Sequence, residues 1–210
     1  MYKRQAYDPA FAGEMAVIVD AGIREMMVEQ KDVFYYVTLM NENYAQPDVP
    51  QGAEADILRG CYRFGVHGPA SGKAKKKVTL MGSGAILTEV VKAAQLLAGE
   101  GIEAEVFSVT SWSELARGGL ACERRAIAGE KEAGVPFIAQ QLGAGKGPIV
   151  AATDYVRAVP ESVRAFLPEG RRYLTLGTDG FGRSDTRAAL REFFGVDAES
   201  IARAARYALG

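Results

Sequence analysis

The period of apolar positions changes along this chain and separates predicted strands from predicted helices. Val78–Met81 is a short apolar run before glycine, a pattern typical of a strand that is buried on both faces. Over Ala85–Ala98 the apolar residues recur at helical spacing, and two glycines end the helix. Ala104–Val109 is the next β-forming run. A strand, a helix and a strand within about thirty residues predict a βαβ unit with a right-handed crossover.

The same alternation continues to the C-terminus and extends the predicted parallel core. The further elements are a helix over Ser111–Arg125, a strand over Val135–Leu142, a strand or extended segment over Ile149–Tyr155, a helix over Pro160–Leu167, a strand over Tyr173–Gly177, a helix that begins at Ser184 or Asp185, and a last helix capped by Asp197. Ser83 is the predicted N-cap of the helix in the βαβ unit. The pattern indicates an α/β fold.

Residues 1–46 do not form a complete folding unit by themselves. Asp8 and Pro9 are a typical helix start, which predicts a helix with Asp8 as its N-cap that runs to about Val28. Val33–Met40 is strongly β-forming. One helix and one strand bury too little surface to stand alone. Either they join the later sheet, or they are the tail of a domain that begins before Met1.

Residues 47–77 have the composition of a connection between domains. Prolines and glycines are frequent there, and the stretch holds only a short helix over Ala53–Arg59 and a short strand over Cys61–Phe64. We expect this connection to enter the sheet at its edge. The predicted division is therefore 1–46, 47–77 and 78–210.

Composition excludes several classes of protein. The 210 residues are 48% hydrophobic and 24% charged, with a formal net charge of -1, so no field of one sign favours nucleic acid or an anionic membrane as partner. Two cysteines without metal-ligand spacing and a single histidine argue against any metal site. Reduced thiols and the lack of a long apolar run predict a cytoplasmic protein.

Two candidate sites lie in the first half of the chain. Gly82, Ser83 and Gly84 place backbone N–H groups at a helix N-terminus, which suits an anion, although glycine there also serves close packing. Asp20 lies within an apolar helix, where it is either exposed or buried with a raised pKa. The sequence favours the exposed position for Asp20 and the packing role for the glycines.

The most polar candidate is the loop GTDGFGRSDTR at residues 177–187. Asp179, Arg183 and Asp185 follow the end of a predicted strand, which is where ligands collect in α/β sheets. The alternative is an Asp–Arg pair that orders the loop, with a helix cap after it. We favour this structural role, with Arg183 bound to a carboxylate or to backbone carbonyls.

Several segments together resemble one enzyme family. They are YDPAF with Glu14, YYVTLMNENY, LMGSGAIL, VFSVTSWSELARGG with CER, PFIA, ATDY and GTDGFGRSDTR. In this order they resemble the C-terminal part of the E1 component of the pyruvate dehydrogenase complex, in its homodimeric single-chain form. The resemblance covers nearly the whole chain.

The resemblance implies a three-layer αβα fold of the transketolase C-terminal type, with a five-stranded, mostly parallel sheet and one antiparallel edge strand. Residues 1–46 would be the tail of the middle, pyrimidine-binding domain. The whole enzyme would use thiamine diphosphate and Mg²⁺ to decarboxylate pyruvate and pass the acetyl group to lipoyl groups of the E2 acetyltransferase. This chain alone would bind neither cofactor nor metal and would not be catalytic. Its expected roles are in dimerisation and at the active-site entrance.

One departure from the family concerns the substrate. Members often carry an active-site histidine at the position of Asp20 in VIVDAG, and an ionised aspartate cannot donate a hydrogen bond as histidine does. The preference for pyruvate is therefore open. The alternative to an E1 component is a stand-alone α/β module that binds an anion at Gly82–Gly84 or at Arg183, or that serves as an interaction domain.

Overall fold

The computed structural model describes residues 3–210, which form seven strands and eight α-helices with two short helical segments of other types. The strands are β1 Arg4–Tyr7, β2 Phe34–Val37, β3 Cys61–His67, β4 Lys76–Gly82, β5 Ile102–Val109, β6 Ile149–Ala152 and β7 Tyr173–Leu176. The α-helices are α1 Ala12–Ile23, α2 Glu54–Arg59, α3 Ile86–Gly99, α4 Trp112–Ile127, α5 Phe137–Leu142, α6 Ala158–Glu161, α7 Arg187–Phe194 and α8 Ala198–Leu209. Within residues 3–210, no helix combines the length and the apolar character needed to cross a bilayer.

The predicted α/β fold is confirmed. Five strands form one sheet in the order β3-β5-β4-β6-β7, in which β3 is antiparallel to β5 and the other neighbours are parallel. The sheet is buried on both faces: Leu80 packs with α3 and α8, and Met81 packs with α4 and α5 on the opposite side. This arrangement produces the three αβα layers.

One predicted strand is a helix in the structure, and the predicted short strand that begins at Cys61 is longer than expected. Residues 135–142 form helix α5 after Pro136, with Ile138 and Leu142 on its buried side. A short apolar run does not distinguish a strand from a buried helix, and the spacing of four between these two residues suits the helix. The fifth strand is instead β3, which comes from the predicted connection and continues past Phe64 to His67 through an irregularity at Arg63/Gly65.

Residues 3–46, called here the N-terminal segment, form a separate small unit. β1, which the sequence analysis missed, pairs in parallel with β2, and α1 connects the two strands. The predicted helix starts later than expected, at Ala12, and its final turn, Arg24–Val28, is π-helical. The segment therefore does not extend the five-stranded sheet. The division into residues 1–46, 47–77 and 78–210 stays a prediction.

Candidate functional site

The crevice of the large sheet lies between β4 and β6. The chain passes from β4 to β5 on one side and then to β6 on the other, and ligands of open α/β sheets bind where the strand order reverses. Ser83 follows β4 and Thr153 follows β6; both are buried, and their hydroxyl oxygens are 2.9 Å apart. A hydrogen bond between side chains thus lies at the position where a ligand is expected.

Asp8 of the N-terminal segment covers this crevice. Its backbone N–H donates to the carbonyl of Thr110 at 2.8 Å, and its carbonyl accepts from the N–H of Gly84 at 3.1 Å. Gly84 has φ of +52°, and a Cβ at that position would lie 2.7 Å from the Asp8 carboxyl. The Gly82–Gly84 turn therefore faces a carboxylate of this chain, which argues against a second anion there. Ser83 does not cap α3, whose N-cap is Ala85.

The Asp8 carboxyl lies in unusual surroundings for an acid. Oδ1 accepts a hydrogen bond from Thr38 Oγ1 at 2.6 Å, whereas Oδ2 is buried and has no partner among residues 3–210. Burial raises the pKa of Asp8 to about 6 and nearby Asp154 adds to this increase, whereas the hydroxyls of Thr38 and Ser83 oppose it. Burial also raises the pKa of Asp154. Two carboxyl groups of raised pKa thus lie at the carboxyl ends of the strands.

Glu14 forms a second polar junction between the N-terminal segment and the large sheet. Its fully buried carboxylate accepts from the N–H groups of Ala10 and Phe11 at 2.6 and 3.1 Å. The hydroxyls of Tyr62 in β3 and Ser108 in β5 donate to the same group at 2.8 and 2.5 Å. Four donors thus occupy the acceptor positions of this carboxylate, so no cation is needed beside it. Asp8, predicted as the N-cap of this helix, does not cap it.

The NENY segment, residues 41–44, follows β2 and forms hydrogen bonds with two arginines of α7. Arg191 donates to both carboxylate oxygens of Glu42 at 3.1 and 2.5 Å and also reaches Glu89 at 3.4 Å. Arg187 donates to the side chain and the carbonyl of Asn41. The hydrogen bond and charge of Arg191 lower the pKa of Glu42. Arg187 is the last residue of GTDGFGRSDTR, so its contact with Asn41 joins two of the segments that carry the family resemblance.

The loop before α7 differs from expectation at Arg183. Its guanidinium lies 3.9 Å from the centre of the Phe193 ring, and no hydrogen bond from it to another residue of the described chain is formed. The prediction that Arg183 pairs with a carboxylate or with backbone carbonyls is wrong, because a neighbouring aromatic face offers the cation an alternative contact.

The two aspartates of this loop make local contacts. Asp179 accepts from the backbone N–H of Arg157 at 2.9 Å, which ties the loop to the segment after β6. Asp185 accepts from the N–H of Thr186 at 2.7 Å. Thr186, rather than Ser184 or Asp185, caps α7, since its hydroxyl accepts from Ala189. Neither aspartate side chain bonds to Asp8 or Asp154. The loop nevertheless adjoins the crevice, because the hydroxyl of Thr178 donates to the carbonyl of Asp154 at 2.5 Å and Arg183 lines a cavity with Asp154.

Asp20 lies on the solvent side of α1. Its side chain is 77% exposed and its carboxylate is 3.6 Å from Arg24, one helical turn away. It lines an open groove of about 690 Å³ between α1 and α2. The exposed position favoured by the sequence is the one observed, and no described group close to Asp20 completes a catalytic set.

The sequence analysis does not predict which residues connect the N-terminal segment to the large sheet, although one pattern points to Glu14. Phe11, Glu14 and Ile18 are spaced by three and four, so Glu14 lies on the buried stripe of α1. A carboxylate on a buried stripe needs donors, and their sources, Tyr62 and Ser108, are distant in sequence. The roles of Asp8 and Arg191 depend on tertiary contacts that no local pattern reveals.

Comparison with known proteins places the chain in a family. Residues 60–197 match the model of the transketolase-like C-terminal domain, and residues 2–47 match the model of the pyruvate dehydrogenase E1 component middle domain. The chain belongs to the family of transketolase-like C-terminal domains. Transketolases share the fold: the chain covers 58% of a split-gene transketolase at TM-score 0.59 and 18% identity, and 25% of the Leishmania mexicana enzyme at TM-score 0.56 and 19% identity, with 99% of this chain covered in both.

Curated proteins of one name match the chain at higher sequence identity than these transketolases do. The chain is 47% identical over 97% of its length to the pyruvate dehydrogenase E1 component of Cupriavidus necator, of which it covers 23%. It is 46% identical over 95% of its length to the Escherichia coli protein of the same name, of which it covers 22%. The chain spans less than a quarter of the length of these relatives.

Proposed function

We propose that this chain is the C-terminal region of a thiamine-diphosphate-dependent pyruvate dehydrogenase E1 component. That enzyme would decarboxylate pyruvate and transfer the acetyl group to the lipoyl groups of the E2 dihydrolipoyl acetyltransferase. The observation that supports this most is the identity of 47% over 97% of the chain, together with two family models in the order middle domain, then C-terminal domain.

Two features of the described residues support a cofactor site elsewhere in the enzyme. The described residues contain no cluster of three or more histidine, cysteine or acidic side chains suited to a metal, and the crevice at Gly82–Gly84 is filled by Asp8. The proposal therefore assigns the diphosphate and Mg²⁺ to the remaining part of an enzyme as long as the relatives. This region would contribute to the homodimer and to the entrance of the active site, in the cytoplasm.

A chimera tests the proposal. The part of the Escherichia coli E1 component that matches this chain is replaced by residues 1–210, and pyruvate-dependent reduction of an artificial electron acceptor is measured with thiamine diphosphate and Mg²⁺. We expect turnover within about tenfold of the parent enzyme, and NADH formation when the E2 and dihydrolipoyl dehydrogenase partners are added. A folded chimera that binds the cofactor but does not turn over pyruvate contradicts the proposal.

Two controls make the result specific. The parent enzyme without the matching part should be inactive if this region is required. The isolated 210-residue chain, titrated calorimetrically with thiamine diphosphate and Mg²⁺, should give no saturable heat at micromolar concentrations, and saturable heat would refute the assignment of the cofactor site to the rest of the enzyme. Assays with 2-oxobutyrate beside pyruvate report whether Asp20 changes the substrate preference.

A further inference from the structure

Asp8 connects the N-terminal segment to the large sheet through three separate contacts. Its backbone N–H donates to the carbonyl of Thr110 directly after β5, and its carbonyl accepts from the N–H of Gly84 in the turn after β4. Its carboxyl binds Thr38 directly after β2. A single residue therefore joins the small sheet to the carboxyl ends of two strands of the large one.

The described groups that surround the carboxyl compensate a negative charge only in part, through the hydroxyls of Thr38 and Ser83. The titratable and polar groups that face it are Thr38 after β2, Ser83 in the turn after β4, Asp154 and Tyr155 after β6, Glu14 of α1 and Tyr44 of the NENY segment. Among residues 3–210, no lysine, arginine or histidine forms an ion pair with Asp8, and Arg191, which faces Asp154, pairs with Glu42 and Glu89. The Asp8 carboxyl thus lies beside two other carboxyl groups, and its buried Oδ2 makes no hydrogen bond within residues 3–210. The nearby hydroxyl of Ser83 favours the ionised form, but it is bonded to Thr153.

We propose that the Asp8 carboxyl is a proton-controlled latch between the N-terminal segment and the large sheet. The protonated acid fits the crevice without a buried charge and holds the segment on the sheet. Ionisation places a charge that is only partly compensated in the crevice and weakens the contact. The device is independent of the proposed enzyme activity, since it rests on contacts within residues 8–155.

The direction of the pH dependence follows from the raised pKa. Asp8 has an ordinary value of 3.8 when it is solvated and a value of about 6 in the closed structure, so closure favours proton binding. Its stabilising contribution is complete below about pH 4 and is lost as the pH rises to about 6 and above. A difference of about two in pKa corresponds to a change of roughly 100-fold in the equilibrium between closed and open forms.

Hydrogen exchange on the 210-residue chain tests the latch. The protection factors of amides in β1 and β2, relative to those in β4, are compared between pH 4 and pH 7.5 for the wild type and for Asp8→Asn. The asparagine amide resembles the neutral acid in size and cannot ionise. Asp48→Asn, which changes an exposed carboxyl in the 47–77 stretch, is the matched control.

The expected result is a fall of up to roughly 100-fold in the relative protection of β1 and β2 in the wild type and in Asp48→Asn, with a flat profile in Asp8→Asn. Equal pH profiles in wild type and Asp8→Asn overturn the proposal. A second measurement covers the case in which Asp8→Asn does not fold: the ¹³C chemical shift of the Asp8 carboxyl in the wild type should titrate near pH 6. Titration near pH 4 contradicts the latch.

Discussion

The N-terminal segment and the five-stranded sheet are stabilised by different interactions. The central strands of the large sheet are covered by helices on both faces, and successive residues such as Leu80 and Met81 enter opposite apolar layers with no exposed surface. The N-terminal segment contributes Ala10 and Phe11 to the apolar layer of the large sheet, but the rest of its apolar surface forms a small cluster, and Met27 and Val28 at the end of its helical part are 71% and 74% exposed. Its contact with the rest of the chain relies strongly on the carboxyl groups of Asp8, Glu14 and Glu42.

The small sheet of the N-terminal segment depends on the rest of the chain for its stability. A two-stranded parallel sheet is marginal by itself, because parallel strands are ordinarily buried on both faces. β1 and β2 therefore depend on the polar junctions and on the apolar contacts that connect the segment to the large sheet. Substitutions at the polar junctions should weaken the contact between the N-terminal segment and the large sheet. Substitutions on the exposed face of the segment, at Met27 and Val28, should not.

Glu14→Ala should have the largest effect. It leaves the Tyr62 and Ser108 hydroxyls and two backbone N–H groups without an acceptor, and each buried donor without a partner costs about 1–3 kcal/mol. We expect a loss of roughly 3–5 kcal/mol in the free energy of unfolding, measured by urea denaturation. Glu14→Gln keeps one acceptor oxygen and should lose less than Ala. A loss below about 1 kcal/mol for Glu14→Ala would show that the junction is not a major source of stability.

Arg191→Lys should have an intermediate effect. The Arg191 side chain is 13% exposed and binds both oxygens of Glu42 as well as Glu89, a geometry that a lysine ammonium cannot reproduce. We expect a loss of about 1–2 kcal/mol at pH 7. Because the pKa of Glu42 is lowered, the contribution of the pair is present above about pH 4.5 and disappears as the pH falls below that value.

The control for this prediction is Arg203→Lys on α8. Arg203 is exposed and donates to Ser200 of the same helix, so the change should cost less than about 0.5 kcal/mol. Equal losses at positions 191 and 203 would mean that the contact between NENY and α7 adds nothing specific. A loss at position 191 that persists at pH 3.5 would attribute it to packing instead of charge.

Arg183→Lys should have a smaller effect than Arg191→Lys. The Arg183 guanidinium stacks on the half-exposed ring of Phe193, and an exposed cation–π contact contributes about 0.5–1 kcal/mol. Lysine keeps part of that contact, so we expect a loss below about 0.5 kcal/mol in urea denaturation. In the Escherichia coli chimera, kcat for pyruvate should stay within about twofold. A strong fall in kcat without a change in stability or dimerisation would assign Arg183 to catalysis.

The large sheet was more predictable from sequence than the contacts at its edge. The βαβ unit depends on local periodicity, so Val78–Met81 and the following helix were found close to their observed positions. Residues 135–142 were misassigned because six apolar and small residues suit either state when the tertiary contacts of Ile138 are unknown. Arg183 was misassigned because the sequence does not show which partner, carboxylate or ring, lies within reach. Asp8 was assigned to a helix cap on a local rule, and the long-range contact with Gly84 prevails over it.

Met27→Ala should have the smallest effect in the 210-residue chain. The side chain is 71% exposed in the π-helical turn, so its truncation removes little buried surface and should change the free energy of unfolding by less than about 0.5 kcal/mol. Ile18→Ala on the same helical stretch is the buried counterpart, with no exposed surface, and should cost about 2–5 kcal/mol. In the chimera, where the remaining middle domain is present, the cost of Met27→Ala should rise above 1 kcal/mol if that domain covers the face. An unchanged small cost in the chimera would leave this apolar face exposed in the longer enzyme as well.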